Sequence, residues 1–256
     1  MSAAEKYTAE RIIDVQRWAS NLFSFRTTRY DGYRFVPGQF ARLGVRKGDN
    51  VVWRAYSIVS AHYDEHLEFF SIVVPDGEFT SELSRLAAND ELLVDKKNYG
   101  YLTVDRFAGG RDLWLLSTGT GLAPFISILY DFQPWRQYEN IILVHSVRHA
   151  HELVYQDVIA SFADHELFAE HAHKLQYVPV VTREPVAGTL DQRITDLIRN
   201  GRLERHVGLP FDVDHSRVMI CGNPDMVEET RQLLMDRGLT ISRRGKPGNL
   251  AVENYW

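Results

Sequence analysis

The chain changes rhythm between Asp105 and Arg111, and this change constrains the fold more than any other feature. Before it, short runs rich in β-branched and aromatic residues follow one another: "ERIIDVQRWA", "LFSFRTTR", "QFARLGV", "RAYSIVS" and "LEFFSIVV". Turn residues such as Asp31-Gly32, Pro37-Gly38 and Lys47-Gly48-Asp49 separate them, the pattern of an antiparallel barrel or sandwich. One helix interrupts the series in "FTSELSRLAAND", where Leu83 and Leu86 are three apart and Thr80 or Ser81 is the expected N-cap. After the change, apolar strands alternate with helical segments. "DLWLLST", "NIILVHSVR", "LQYVPVVTR" and "RVMICG" read as strands, and "FISILYDF", "HELVYQDVIASFA", "TDLIRNG" and "PDMVEETRQLLMDRG" as helices. Such alternation specifies a parallel sheet covered on both faces. The expected architecture is therefore a two-domain β plus α/β chain. An antiparallel barrel with one helix spans residues 1–105, and a parallel-sheet domain spans residues 106–256.

Composition excludes several functions. With 29 basic and 34 acidic residues the formal net charge is −5, which disfavours a nucleic-acid-binding surface. No run of about 18 apolar residues spans a membrane, and the N-terminal segment lacks the basic and apolar blocks of a secretion signal. A cytoplasmic monomer is expected. The single cysteine, Cys221, excludes an intrachain disulfide, a cluster held by this chain alone and a paired-cysteine zinc site. His165, His171 and His173 follow no known ligand spacing, so no metal is expected.

Candidate site residues lie where strands give way to turns. In "WRAYSIVS", alternation puts Arg54, Tyr56 and Ile58 on one face and Ala55, Ser57 and Val59 on the other. A cation beside a phenol on a strand suits a ligand carrying both charge and a flat ring. "STGTGLAP" follows a strand and opens a helix, so Gly119 and Gly121 allow a tight turn close to a phosphate or ring edge; it also serves as an ordinary βα turn. "VPDGEFTSEL" gathers backbone and hydroxyl donors suited to a pyrophosphate, or is a hairpin turn with a helix cap. "ICGNPDM" ends a parallel strand, where open sheets bind ligands, although Cys221 also reads as a small buried hydrophobe. Arg148, Arg183 and Arg193 follow strands or open helices and clamp a phosphate if they converge. "AVENYW" ends on Tyr255-Trp256, an aromatic pair expected to pack on something flat.

Taken in order, "RAYS", "VPDG", "TGTGLAP", "CGNPDM" and the terminal "ENYW" resemble the bacterial ferredoxin (flavodoxin)–NADP reductases over residues 8–256. The resemblance implies non-covalent FAD in the barrel, NADP(H) as substrate in the α/β domain, and hydride transfer at flavin N5 feeding ferredoxin or flavodoxin. It implies that Tyr56 stacks on the flavin and Ser57 bonds near N5. Arg54 meets the pyrophosphate with Glu78, Phe79 and Thr80, and Ala55, Phe70, Ser71 and Ile72 line the flavin and ribitol. Thr120 lies at the interdomain cleft, and Arg148, Arg183 and Arg193 hold the NADP phosphates. Cys221 and Glu253 sit by the nicotinamide, and Trp256 stacks on the FAD adenine. Plant-type members end at tyrosine; here the chain runs on, so Tyr255 and Trp256 are both candidates to gate nicotinamide entry. Two basic groups, Arg42-Arg46-Lys47 and Arg243-Arg244-Lys246, are candidate docking patches for an acidic carrier. The rival readings are an NAD(P)H-dependent reductase component of an oxygenase and a non-catalytic flavin-binding redox module.

Overall fold

The structure, a computed structural model, describes residues 6–254. The calls on Tyr255 and Trp256 therefore lie outside the described residues.

The first sheet contains β1 (Tyr7–Ala19), β2 (Leu22–Thr28), β3 (Phe40–Lys47), β4 (Asn50–Ser57), β5 (His66–Ile72) and β6 (Glu91–Tyr99). Its order is β4-β3-β6-β1-β2-β5, with antiparallel neighbours throughout. The β3–β4 hairpin turns at Gly48, whose φ of +59 suits the first loop position of a II′ turn. The sheet closes into a barrel just beyond β4. Ile58 bridges Phe69 of β5, and Val59 N donates to Glu68 O at 2.8 Å. Closure removes both sheet edges and encloses Phe23, Phe25, Leu43, Phe69 and Leu92. Helix α1 (Glu78–Leu83) adds Phe79 and Leu83 to that core.

The expected N-cap of α1 is corrected. Gly77 occupies that position in extended conformation, and the Thr80 hydroxyl accepts from Val74 N at 3.1 Å. Thr80 thus secures the approach to the helix rather than capping it. Strand β6 was not recognised in the sequence, because Leu92, Leu93 and Val94 are all buried and show no alternation.

The second sheet contains β7 (Asp112–Thr118), β8 (Asn140–Val147), β9 (Leu175–Val181), β10 (Ser216–Gly222) and β11 (Leu250–Asn254). It is wholly parallel, in the order β11-β10-β7-β8-β9. Alternate residues feed two cores. Leu113, Leu115, Met219 and Cys221 enter one, and Trp114, Leu116, Val218 and Ile220 enter the other. The helices are α2 (Ala123–Leu129), α3 (Phe132–Gln137), α4 (Gln156–Ser161), α5 (Ile194–Arg199), α6 (Arg202–Val207) and α7 (Pro224–Asp236). The first of the two cores also contains Leu22, Val59, Phe70 and Leu102, so it runs on into the barrel side of the molecule. A buried hydrogen bond from Ser127 Oγ to Ser60 O, 2.9 Å, crosses the same boundary. Among the described residues no helix is long and apolar enough to cross a membrane.

The helix expected over 151–163 begins only at Gln156, because Tyr155 adopts a left-handed φ of +65. Its ring is committed to the barrel, packing on Phe70 and Trp18. The other expected helices form, although that in "FTSELSRLAAND" ends at Leu83, and α7 closes at Gly238 with φ +94, as the terminal glycine of its segment implied.

Candidate active site

The strand order reverses at the β7–β10 pair, and a cleft of about 740 Å³ opens beyond the carboxyl ends of these strands. One wall is barrel, with Leu22, Phe70, Ile72 and the segment from Val73 to Pro75. The other wall carries Thr118, Gly119 and Thr120 after β7, Arg148 after β8, Arg183 after β9 and Gly222 after β10.

The "TGTG" turn and the "CG" strand end interlock through absent side chains. A Cβ on Gly121 would lie 2.4 Å from Cys221 O, and one on Gly222, at φ +136, would lie 2.2 Å from Thr118 Oγ1. Instead Thr118 Oγ1 accepts from Asn223 N at 2.9 Å. Beneath the turn is His145 of β8, fully buried, with Nε2 at 3.2 Å from Gly119 O. Burial pushes its pKa down to about 4, so the ring is neutral at ordinary pH.

The three arginines converge as the strand ends dictate. Arg183 N donates to Arg148 O at 3.0 Å, and Thr182 Oγ1 donates to Val147 O at 3.1 Å, which ties the ends of β8 and β9 together. Arg193 stands at the N-cap of α5 and lines the same cleft. A side bay of about 310 Å³ continues past Thr182, Arg183, Gln192 and Arg193. Among the described residues, Arg148, Arg183 and Arg193 form no ion pair with a carboxylate, whereas nearby Arg199 and Arg202 do. Exposed guanidinium groups that pair with no carboxylate among the described residues suit an anionic ligand in a concave wall.

Glu253 lies opposite Cys221 in the parallel β10–β11 register. Its Oε2 is buried without a hydrogen-bond partner, and desolvation raises its pKa to about 7. The barrel reaches it through Gly100, at φ +97, where a Cβ would lie 2.9 Å from Glu253 Oε1 and 2.9 Å from Phe40. Phe40 pairs in register with Ser57, and its ring stacks on Tyr99. The end of β4 and the end of β11 thus meet at one place. Phe40, Tyr99 and Gly100 were missed in the sequence, where "NYGY" shows only a turn glycine.

On the barrel, Tyr56 donates or accepts a hydrogen bond with Ser71 Oγ at 3.0 Å and packs its ring against Phe79 at 5.5 Å. Burial raises its pKa to about 12. Along β5, Phe70 and Ile72 face the cleft while Ser71 turns to Tyr56, as strand alternation requires. Arg54 and Ala55 are exposed, Ser57 is buried, and Arg54 is near enough to lower the pKa of Glu78. Glu78 itself is paired with Lys47, and Phe79 belongs to the barrel core, so both offer a ligand their backbone rather than their side chains. Arg54, Glu78, Phe79 and Thr80 stand outside the cleft, on the flank of the barrel. Arg42, Arg46 and Lys47 each face a carboxylate, Asp95, Glu91 and Glu78 respectively, which weakens them as a free basic patch. Among the described residues no cluster of potential metal ligands exists.

The oxidoreductase FAD-binding domain family matches residues 14–96, and the oxidoreductase NAD-binding domain family matches residues 115–232. A ferredoxin–NADP reductase of Pseudomonas aeruginosa is 48% identical over 248 residues, covering 95% of both chains. The chain belongs to the ferredoxin–NADP reductase family. A flavodoxin/ferredoxin–NADP reductase of Escherichia coli is 38% identical over 247 residues, covering 96% of this chain and 97% of its own. A solved ferredoxin–NADP+ reductase of Neisseria gonorrhoeae with bound FAD and NADP superposes with a TM-score of 0.91 at 36% identity, covering 98% of this chain and 99% of that one.

Proposed function

We propose that this chain is an FAD-dependent oxidoreductase that passes electrons between NADP(H) and a one-electron carrier, ferredoxin or flavodoxin. We divide it into an FAD-binding barrel, residues 1–105, and an NADP-binding domain, residues 106–256. The reading rests above all on the cleft between them, with barrel on one wall and, on the other, three arginines that pair with no carboxylate among the described residues. The residues present fit both nucleotides. A buried carboxylate oxygen without a partner and a glycine cradle mark the meeting of the domains, and the unpaired guanidinium groups fit phosphate.

Bound FAD would supply the redox chemistry, taking up two electrons as hydride and releasing them singly. The side chains of the chain bind, orient and exclude water. Tyr56 presents its ring to the flavin, held by Ser71, and Ser57 supplies a hydrogen bond near N5. Arg54 and the backbone of α1's first turn hold the pyrophosphate, and Ala55, Phe70 and Ile72 bound the flavin and ribitol. Arg148, Arg183 and Arg193 fix the NADP phosphates, which places the nicotinamide end toward Thr120, Cys221 and Glu253. Glu253 holds a proton at the meeting of the two domains. Arg243, Arg244 and Lys246 are exposed and in no ion pair among the described residues, so they are the better of the two basic groups for docking an acidic carrier. The chain acts as a cytoplasmic monomer.

The test is direct. The purified protein is expected to be yellow and to reduce ferricyanide and a ferredoxin or flavodoxin with NADPH. A colourless protein, or one active only with NADH, would sink the reading. The second outcome would favour the oxygenase-component alternative.

A further inference from the structure

We propose that His145 is a positioning residue: it holds the Gly119 carbonyl down in the core so that the Thr120 N–H is aimed into the cleft at the nicotinamide half of the dinucleotide. The inference rests on the functional reading above and assigns work to a residue that touches neither substrate nor cofactor.

β8 is an apolar run from Ile141 to Val144, and His145, which follows it, is fully buried. A polar ring in such a place is costly unless it is hydrogen-bonded. Among the described residues its hydrogen-bond partner is Gly119 O, 3.2 Å from Nε2. A carbonyl only accepts, so the proton sits on Nε2 and Nδ1 is left as an acceptor. Nδ1 is buried with no partner, so nothing on that side favours the other tautomer.

The peptide bond converts this contact into an orientation. In a trans peptide the carbonyl and the following N–H point in opposite directions. Gly119 O is drawn inward to His145, so the N–H of Thr120 is turned outward, where Thr120 lines the cleft. The first N–H groups of a helical turn have no acceptor within it, and this donor is available to a ligand. Gly119 has φ +52 and an added Cβ there would meet nothing within 4 Å, so side-chain packing does not hold this peptide in place. A rotated peptide would put a carbonyl oxygen where a donor is required. Thr118, one residue earlier, is held by Asn223 N, so the position left to His145 is the Gly119–Thr120 peptide itself. Arg148 and Arg183 are fixed by other bonds, those tying β8 to β9, and Arg193 stands at the N-cap of α5. Loss of His145 therefore acts on one half of the dinucleotide and not on the other.

The experiment has two parts. Imidazole-nitrogen NMR on the FAD-loaded protein should show His145 protonated on Nε2 and not titrating between about pH 5.5 and 8.5; an Nδ1-protonated or titrating ring overturns the proposal without reference to any variant. Then His145→Leu, which removes the donor, and His145→Gln, which keeps an N–H at similar reach, are compared by stopped-flow flavin reduction with NADPH and by calorimetric titration with NADP+ and with adenosine 2′,5′-bisphosphate. His145→Leu should slow flavin reduction and weaken NADP+ binding by about tenfold, leave bisphosphate binding within about twofold of the parent, and be largely rescued in His145→Gln. Equal loss of bisphosphate binding, a glutamine variant no better than leucine, or a leucine variant equal to the parent overturns it. If the leucine variant does not fold, the NMR result and the glutamine variant still decide. A parent protein that binds no NADP+ would instead defeat the functional reading.

Discussion

The hydroxyl of Tyr155 donates to Glu68 Oε1 across the boundary between barrel and α/β domain, at 2.6 Å. Burial raises the Glu68 pKa, and the bond from Tyr155 pulls it back down. Tyr155→Phe removes that donor and leaves a buried carboxylate short of a partner, a loss of about 1–3 kcal/mol. For an acid with a raised pKa, stability is lost as pH climbs from the unfolded toward the folded value. The variant should therefore lose more stability at pH 8 than at pH 5, roughly, as read by thermal melts of the FAD-loaded protein. Adding Glu68→Gln should return most of the loss, and additive effects of the two substitutions would show that the bond is not shared.

Arg183 borders both the main cleft and its side bay without an ion pair among the described residues. If it holds the 2′-phosphate, Arg183→Ala should lower kcat/KM for NADPH by about 100-fold, the range for removing a charge-assisted, bidentate contact. With NADH the loss should stay within about threefold, because that nucleotide offers nothing for the lost group to grip. Steady-state ferricyanide reduction with the two nucleotides checks this, and equal losses would move the 2′-phosphate elsewhere.

How much of this was legible in the sequence depended on whether a signal was local. The apolar runs "DLWLLST" and "RVMICG" translate directly into parallel strands, whose odd and even residues the structure sends into different cores. The glycines of "TGTG" likewise announced a close approach and "CG" a strand end at a site, although only the structure shows that Gly121 meets Cys221 and Gly222 meets Thr118. Long-range packing left no local mark. Tyr155 breaks a good helical pattern because Glu68, 87 residues earlier, takes its hydroxyl. Gly100 is an ordinary turn glycine until Glu253 is folded against it. Helix α6 was missed although Gly201 and Gly208, both with positive φ, bracket it. β11 was hidden by its brevity at the end of the chain.

Glu253 allows a test of pH dependence with a definite sign. Desolvation raises its pKa from 4.5 to about 7. Between those values the folded state keeps a proton that the unfolded chain releases, so stability falls as pH rises through that window, by up to ~3 kcal/mol. Glu253→Gln should flatten the decline. Unfolding free energies of parent and variant should lie closest at the acid end of this window and separate toward its alkaline end, where the parent has lost stability and the variant has not. Parallel curves would mean that Glu253 is ionised in the folded protein throughout.

Gly121 tests the interlock on which the cleft depends. A methyl group there would meet Cys221 O at 2.4 Å and Cys221 C at 2.6 Å, both backbone atoms of a central strand that cannot swing aside. Gly121→Ala must therefore push the "TGTG" turn away from the end of β10, moving Thr118 off Asn223 N and Thr120 away from its place in the cleft wall. Overpacking of this kind costs about 1–3 kcal/mol, enough to shift a melt without unfolding the domain. Because Tyr56, Ser71 and Arg54 belong to the barrel, FAD content should be preserved while NADP+ affinity and flavin reduction by NADPH fall together. Gly48→Ala, at a hairpin with open space around it and a positive φ that Gly121 does not have, serves as the comparison. It should cost stability through backbone strain alone and leave NADP+ binding intact. Equal NADP+ affinity in the Gly121→Ala protein and the parent would show that the turn can move without consequence for the site.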